Sequence, residues 1–107
     1  MKPNLNDKYY LLKEIEKAEK QSQRELAKVL GFSLGKLNFV LKALIAKGLV
    51  KMENFAQNEQ KMQYRYILTP EGIKEKINVT RAFIQRKEDE YEIILQEIDE
   101  ARQTMQN

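Results

Sequence analysis

The chain of 107 residues is long enough for one domain, or for one domain with a helical arm. It contains no cysteine and no histidine, which excludes disulfides, thiolate metal sites and the commonest general base. Its 42% hydrophobic content includes no run near the ~18 apolar residues of a membrane span, and the first ten residues lack the apolar core of a secretion signal. We therefore expect a cytoplasmic protein without membrane contact, metal or cofactor.

The net charge of +3 is unevenly divided along the chain. Residues 1–72 contain 13 Lys or Arg and 8 Asp or Glu, a net charge of +5, whereas residues 73–107 contain 6 and 8, a net charge of −2. A basic body with a mildly acidic arm fits a polyanionic partner, but ordinary surface solubilisation explains the same charges. Charge therefore leaves both interpretations open.

Two short helices are predicted at the start of the chain. The first covers about residues 6–18, where apolar residues recur at helical spacing. The second is "QRELAKVL", in which Ser22 and Glu25 form a capping box and Gly31 supplies the left-handed C-terminus. Its predicted buried face consists of Leu26, Val29 and Leu30.

A third helix is predicted from the cap Ser33 to about Lys47, where Gly48 ends it. The three residues "GFS" separate it from the second helix, and a short turn with a glycine is typical of a helix-turn-helix. Its predicted inward residues are Leu37, Val40, Leu41 and Leu44. These residues share one core with the second helix, so one face of the third helix is left outward.

The spacing of apolar residues changes after Gly48, from a helical period to alternation. "LVKMENF" alternates in part and "QYRYILT" alternates clearly between apolar and polar residues, with the polar stretch "AQNEQKM" between them. We interpret this as a β-hairpin with a mobile tip. Helix, turn, helix and hairpin, in that order, predict a winged helix: a mainly α fold with a small β wing.

A long C-terminal helix follows the hairpin. In "TPEG", Thr69 is a predicted N-cap and Pro70 the first helical residue. No proline or glycine interrupts the chain after Gly72, so helix is predicted to about Gln106, roughly 50 Å. We divide the chain into a winged helix-turn-helix domain at 1–72 and a helical arm at 73–107.

Apolar residues recur every seven positions along this arm, which is typical of a coiled coil. The predicted dimerisation residues are Ile77, Ile84, Tyr91, Ile94, Ile98 and Met105. Lys87 and Thr80 weaken the middle of the stripe. The alternative is that the stripe packs on the first helix of the same chain, at least from Ile73 to Ile84. Parallel and antiparallel pairing both remain open.

The outward face of the third helix has the composition of a recognition helix, whose N-terminal half enters the major groove of DNA. Its predicted members are Gly35, Lys36, Asn38, Phe39 and Lys42. Lysine donates to guanine, and asparagine bonds adenine or phosphate. Phe39 either contacts a thymine methyl group or a sugar, or packs locally.

Two neighbouring segments are predicted to contact the DNA backbone. Ser22, Gln23 and Arg24 begin the second helix, whose N-terminal amides suit a phosphate. Lys61 and Arg65 lie on the hairpin, within about residues 54–65, where they are predicted to reach backbone or minor groove. Each of these cations has ordinary solvation as its alternative.

The segments "SQRELA", "SLGK.N..LKALI.KG" and "LTPEGI.EK" together resemble MarR-type winged helix-turn-helix regulators, and most closely the small branch associated with exopolysaccharide gene clusters. The resemblance implies a dimeric transcription regulator that binds duplex DNA near its target operon. It places Ser33, Lys36, Asn38, Phe39 and Lys42 on the recognition helix and Lys61 and Arg65 on the wing. Larger MarR proteins have a longer first helix and two C-terminal helices around an effector pocket, so no such pocket is expected here.

The predicted function is sequence-specific binding of double-stranded DNA by a homodimer, with recognition helix 33–47 in the major groove. Two such helices about 34 Å apart would suit a pseudo-palindrome. The alternative is a protein-interaction module in which the long helix binds another protein's helix. Acidic runs such as Glu88 to Glu90 lie on a helical solvent face, and no phosphate loop or nucleophile–base pair is present, so no enzymatic activity is predicted.

Overall fold

The computed structural model describes residues 2–17, 22–58 and 61–106, and the side chains of all of these except 55–58 and 61–63. The helices are α1 (Leu5–Lys17), α2 (Gln23–Leu30), α3 (Leu34–Ala46) and α4 (Pro70–Gln106). The strands β1 (Val50–Asn58) and β2 (Lys61–Leu68) form an antiparallel hairpin between α3 and α4. This architecture confirms the predicted fold class.

One hydrophobic core joins α1, α2, α3, the base of the hairpin and the first turns of α4. Leucine side chains at 11, 12, 26, 37 and 44 are essentially inaccessible to solvent. Val79 is the buried side chain that α4 adds to this core. Contacts between α4 and α1 continue as far as Phe83 and Arg86, so about the last half of α4 extends beyond the body of the protein.

The caps of α2 and α3 set the turn between them. The Ser22 hydroxyl accepts a hydrogen bond from the Glu25 amide at 3.2 Å, and the Ser33 hydroxyl accepts one from the Lys36 amide at 3.1 Å. Gly31 takes a left-handed conformation at φ 71°, which lets the chain reverse direction immediately after α2. The two helix axes are bent by 111° at this turn.

The predicted buried face of α2 is wrong at one position. Val29 is 57% exposed, whereas Ala27 is buried beside Leu26. An eight-residue helix has about two turns, so its apolar spacing is compatible with more than one rotation about the axis. The packed rotation turns the small Ala27 inward and leaves Val29 in solvent.

The hairpin is longer than predicted. Residues Ala56, Asn58 and Lys61, expected in the mobile tip, continue the ladder, with a register shift between Ala56 and Asn58. No proline or glycine interrupts this polar stretch, so backbone pairing can continue through it. Glu59 and Gln60, between the strand ends, lie outside the described residues, as does Ala18 at the predicted end of α1.

The start of α4 is locked onto the end of α3. The Thr69 hydroxyl accepts a hydrogen bond from the Gly72 amide at 3.0 Å and donates one to the Gly48 carbonyl. The Thr69 amide donates to the Leu49 carbonyl at 3.0 Å. Gly72 lies against the same carbonyl, where a Cβ atom would come within 1.9 Å of the oxygen. The "TPEG" segment is therefore a docking element as well as a helix cap.

The contact between α1 and α4 does not use the heptad stripe. Phe83 stacks on Tyr9 with ring centroids 4.2 Å apart, and the Lys76 ammonium pairs with Glu16. Residues 73, 77 and 84 of the stripe stay 47–50% exposed. The alternative that the stripe packs on α1 is therefore wrong, because α1 lies against the adjacent face of α4, on the side of Val79 and Phe83.

Candidate nucleic-acid interface

One exposed face of α3 lies opposite its buried residues. Gly35, Phe39, Lys42 and Ala46 are spaced four, three and four residues apart, so they share a face. All four are exposed, and Phe39 keeps 42% of its surface in solvent. The opposite side of the helix packs Leu37, Val40, Leu41 and Leu44 into the core, as predicted.

Lys36 lies at the side of this face, next to α1. Its ammonium is 3.1 Å from the Asp7 carboxylate, which is only 13% exposed, and 4.5 Å from the centre of the Phe32 ring. The Asn4 side chain accepts a hydrogen bond from the Asp7 amide at 2.8 Å and so holds the first turn of α1 in place. Lys36 is thus exposed and paired with Asp7, and a contact to guanine requires that it leave this partner.

Asn38 lies on the other side of α3, towards α2. Its side-chain oxygen accepts a hydrogen bond from the side-chain nitrogen Nε2 of Gln23 at 3.1 Å, and Asn38 is half-buried. The structure therefore brings together two predicted DNA contacts in a bridge between α2 and α3. The Asn38 amide nitrogen keeps its donor capacity in this arrangement.

The phosphate contacts predicted at a helix N-terminus lie at the start of α2, and the predicted recognition-helix residue Ser33 lies at the start of α3. Ser22 and Ser33 use their hydroxyls as caps, so their side chains serve the first turns of α2 and α3. Arg24 is exposed in the first turn of α2. Lys28 and Lys47, which the sequence prediction did not select, are exposed as well. No sequence pattern distinguishes these two lysines from other surface lysines, so their exposure could be recognised only in the folded structure.

The wing carries a cross-strand ion pair. The Arg65 guanidinium donates to one Glu53 carboxylate oxygen from Nε at 3.2 Å and from Nη2 at 2.9 Å, and the Lys51 ammonium is 3.3 Å from the other oxygen. The hydrogen bonds from Arg65 and then Lys51 lower the pKa of Glu53 below its ordinary value. Arg65 is therefore charge-compensated within the hairpin. The Lys61 side chain lies outside the described residues.

The opposite face of the wing carries exposed apolar side chains beside Asn54. Tyr64 and Met52 are 53% and 50% exposed on this face, which they share with Tyr66 and Leu68. The hairpin extends past the core, so Tyr64 and Met52 lie beyond the buried cluster. Tyr66 stays half-buried, and burial together with the neighbouring Tyr64 raises the pKa of its phenol.

Other kinds of site find little support in the part of the chain that the structure describes. Among residues 2–17, 22–58 and 61–106, no three acidic side chains are grouped so that they could hold a metal ion. No single helix there is long and apolar enough to cross a membrane; α2 and α3 pass that test of length and composition only as a pair, across their bend.

The helix-turn-helix region matches a known family. Residues 11–51 match the model for winged helix-turn-helix DNA-binding domains. This segment covers most of α1, all of α2 and α3, and the start of β1, but less than half of the chain. No curated protein matches the sequence significantly.

Solved structures share the fold over a larger part of the chain. The Staphylococcus aureus MepR–DNA complex is 22% identical with a TM-score of 0.64, covering 78% of this chain and 60% of MepR. Streptococcus pneumoniae FabT in complex with DNA is 21% identical with a TM-score of 0.59, covering 78% and 59%. A mutant MepR from a multidrug-resistant S. aureus clinical isolate is 19% identical with a TM-score of 0.62, covering 95% and 79%.

These similarities establish the winged-helix fold. The chain spans half of the length of a Listeria innocua protein of unknown function, which is 24% identical, and about three fifths of the two DNA-bound proteins. The branch associated with exopolysaccharide gene clusters stays a prediction.

Proposed function

We propose that this chain is a transcription regulator that binds a specific duplex DNA site as a homodimer. The observation that carries the proposal is the outward face of α3, where Phe39 and Lys42 project away from the core beside the bare backbone of Gly35. A helix-turn-helix presents such a face to the major groove. The family model and the two DNA complexes with the same fold support duplex DNA as the partner.

The charges around α3 suit a polyanion. Arg24, Lys28, Lys42 and Lys47 are exposed on α2, α3 and the turn after α3. Cations of this kind contact phosphates and fix the orientation of a protein on the duplex, without reading its sequence. Affinity should therefore fall steeply as salt is raised, because bound counterions are released from DNA.

The second copy of the chain is proposed to pair through α4. The predicted dimerisation residues Ile77, Ile84, Tyr91, Ile94, Ile98 and Met105 are 45–86% exposed. Every residue from 88 to 106 is exposed, although the helix there carries a repeating apolar stripe. A second α4 with the same stripe would bury these side chains, and the seven-residue period suits a left-handed pair.

The binding test is selection of duplexes from a random pool, followed by affinity measurements over a salt series. Replacing Lys36 and Lys42 together by alanine should weaken binding to the selected duplex. The matched control removes two charges from α4, at Lys74 and Arg102, and should leave affinity nearly unchanged. If both double variants bound the selected duplex as tightly as the parent, α3 would not be the DNA-binding face. An absence of salt-sensitive binding would favour the protein-interaction alternative.

The dimer test uses two adjacent residues of equal chemistry. Ile94 lies on the stripe and is 52% exposed, whereas Ile93 points away from the stripe and is 58% exposed. Ile94→Lys should give a monomer by sedimentation and lose affinity for a two-half-site duplex. Ile93→Lys should remain a dimer. Dimerisation that survives Ile94→Lys, or loss of the dimer in both variants, would contradict pairing through this stripe.

A further inference from the structure

We infer that Phe39 reads thymine methyl groups at the centre of each DNA half-site, so that recognition there is mainly apolar. This inference rests on the proposed DNA-binding function and names the chemistry of its target. The starting observation is the position of Phe39, midway along the outward line formed by Gly35, Phe39, Lys42 and Ala46. It is 42% exposed, although a large aromatic side chain in water is unfavourable.

The polar side chains that usually read bases are engaged on either side of this line. Lys36 is held against α1 by Asp7, and its ammonium also lies over the Phe32 ring. Asn38 is held against α2 by Gln23. Lys36 and the Asn38 side-chain oxygen each have a partner within the protein, the Asn38 amide nitrogen keeps its donor capacity, and Phe39 occupies the centre of the outward line.

Lys42 is the charged member of the outward line, one turn after Phe39. A long, flexible ammonium side chain at that position suits a phosphate or the edge of the groove, as do the exposed Arg24, Lys28 and Lys47. These cations supply attraction to any duplex. Phe39 is the large apolar side chain of the outward line, so it can discriminate between base pairs by contact with an apolar group.

The major groove offers one apolar group, the C5-methyl of thymine. Phenylalanine has no hydrogen-bond donor or acceptor, so guanine, cytosine and adenine edges facing it would lose their water without a replacement partner. Gly35, one turn before Phe39, has open space on its side: nothing lies within 4 Å of a Cβ built there. The first turns of α3 can therefore approach the groove floor closely enough for the ring to contact a methyl group.

The experiment removes the methyl group from the DNA and leaves the base pairing intact. In the duplex selected from a random pool, thymines at the half-site centres are replaced by uracil, one at a time. Each methyl group that contacts Phe39 should be worth about fourfold in affinity, the value of one buried methylene. Uracil in place of thymines outside the half-sites is the matched control and should have little effect.

A double-mutant cycle assigns the methyl contact to Phe39. Phe39→Ala should bind thymine and uracil duplexes equally, whereas Lys42→Ala should weaken both by the same factor and keep the difference between them. Urea unfolding of each variant checks that it is folded under the binding conditions. The measurement with the parent protein needs no variant, so it remains decisive even if Phe39→Ala is unstable.

The outcomes separate this inference from the function on which it rests. If the parent binds no duplex, the proposed function fails. If it binds a selected duplex but uracil is tolerated at every central thymine, the function stands and the inference is overturned. The inference also fails if the selected half-sites have no thymine at their centres, or if the penalty for uracil persists in Phe39→Ala.

Discussion

The contact between Gly72 and the Leu49 carbonyl makes a sharp prediction about stability. Gly72→Ala adds one methyl group in the first turn of α4. That Cβ would lie 1.9 Å from the Leu49 oxygen and 2.9 Å from its carbonyl carbon, and both of these are backbone atoms. Restoring an ordinary 3.4 Å contact requires a displacement of about 1.5 Å between α4 and the end of α3, which close packing resists.

The cost can be estimated from what that displacement disturbs. It weakens the two hydrogen bonds by which Thr69 joins α4 to Gly48 and Leu49, at about 1 kcal/mol each. Overpacking around Leu49 and Val79 adds roughly 1–3 kcal/mol. Alanine recovers about 1 kcal/mol through its helix propensity. We expect Gly72→Ala to lower the free energy of unfolding by about 3 kcal/mol.

The matched control is Gly35→Ala, in the first turn of α3. Nothing lies within 4 Å of a Cβ at that position, so the same substitution should be neutral or stabilise the fold by up to about 1 kcal/mol. Urea unfolding followed by far-UV circular dichroism measures both variants at one protein concentration, because a dimer makes stability depend on concentration. If Gly72→Ala stayed within about 0.5 kcal/mol of the parent, the docking of α4 on Leu49 would be refuted.

Three further predictions concern ion pairs and the α1–α4 contact. Asp7→Asn should free Lys36 from its ion pair. Duplex affinity, measured by fluorescence anisotropy, should then fall more steeply with salt, by about one unit of logarithmic slope. An unchanged slope would mean that Asp7 does not restrain Lys36. Because the pKa of Glu53 is lowered in the folded state, its stabilisation is present above the unfolded-state pKa and is lost as pH falls through the folded-state value. Acid titration of stability should therefore be less steep in Glu53→Gln than in the parent below about pH 4.5, and identical curves would exclude the contribution of the pair with Arg65. Phe83→Ala, which removes a half-buried ring stacked on a tyrosine of α1, should cost about 2 kcal/mol in urea unfolding; a cost near zero would mean that this stack does not hold α4.

Local chemistry made the element order predictable. Ser22 and Ser33 are caps because a short hydroxyl side chain satisfies helix N-terminal amides, and Gly31 ends α2 because it accepts positive φ. The buried residues of α3 were predictable from their spacing, because over a helix of 13 residues that spacing places all of them on one face. These features depend on near neighbours in the chain, and their physics is contained in a few consecutive residues.

Contacts between segments that lie far apart along the chain could not be predicted from the sequence. Nothing in the spacing of Lys36 and Asn38 reveals that Asp7 and Gln23 hold them, because those partners come from other helices. The rotation of α2 that buries Ala27 depends on the shape of the core it enters. The length of the hairpin could not be predicted from composition, because the backbones of the two strands also pair through the polar stretch.

Caps, glycines and apolar periods act over a few residues, so the amino-acid order was enough to specify a winged helix with a long C-terminal arm. Which face of that arm meets α1, and which stays exposed, was settled by packing in three dimensions. A helix packs on the side that fits its neighbour, and Val79 and Phe83 fit α1 where the isoleucine stripe does not. Packing also leaves Phe39 outside the core, 42% exposed, because Leu37, Val40, Leu41 and Leu44 fill the core side of α3.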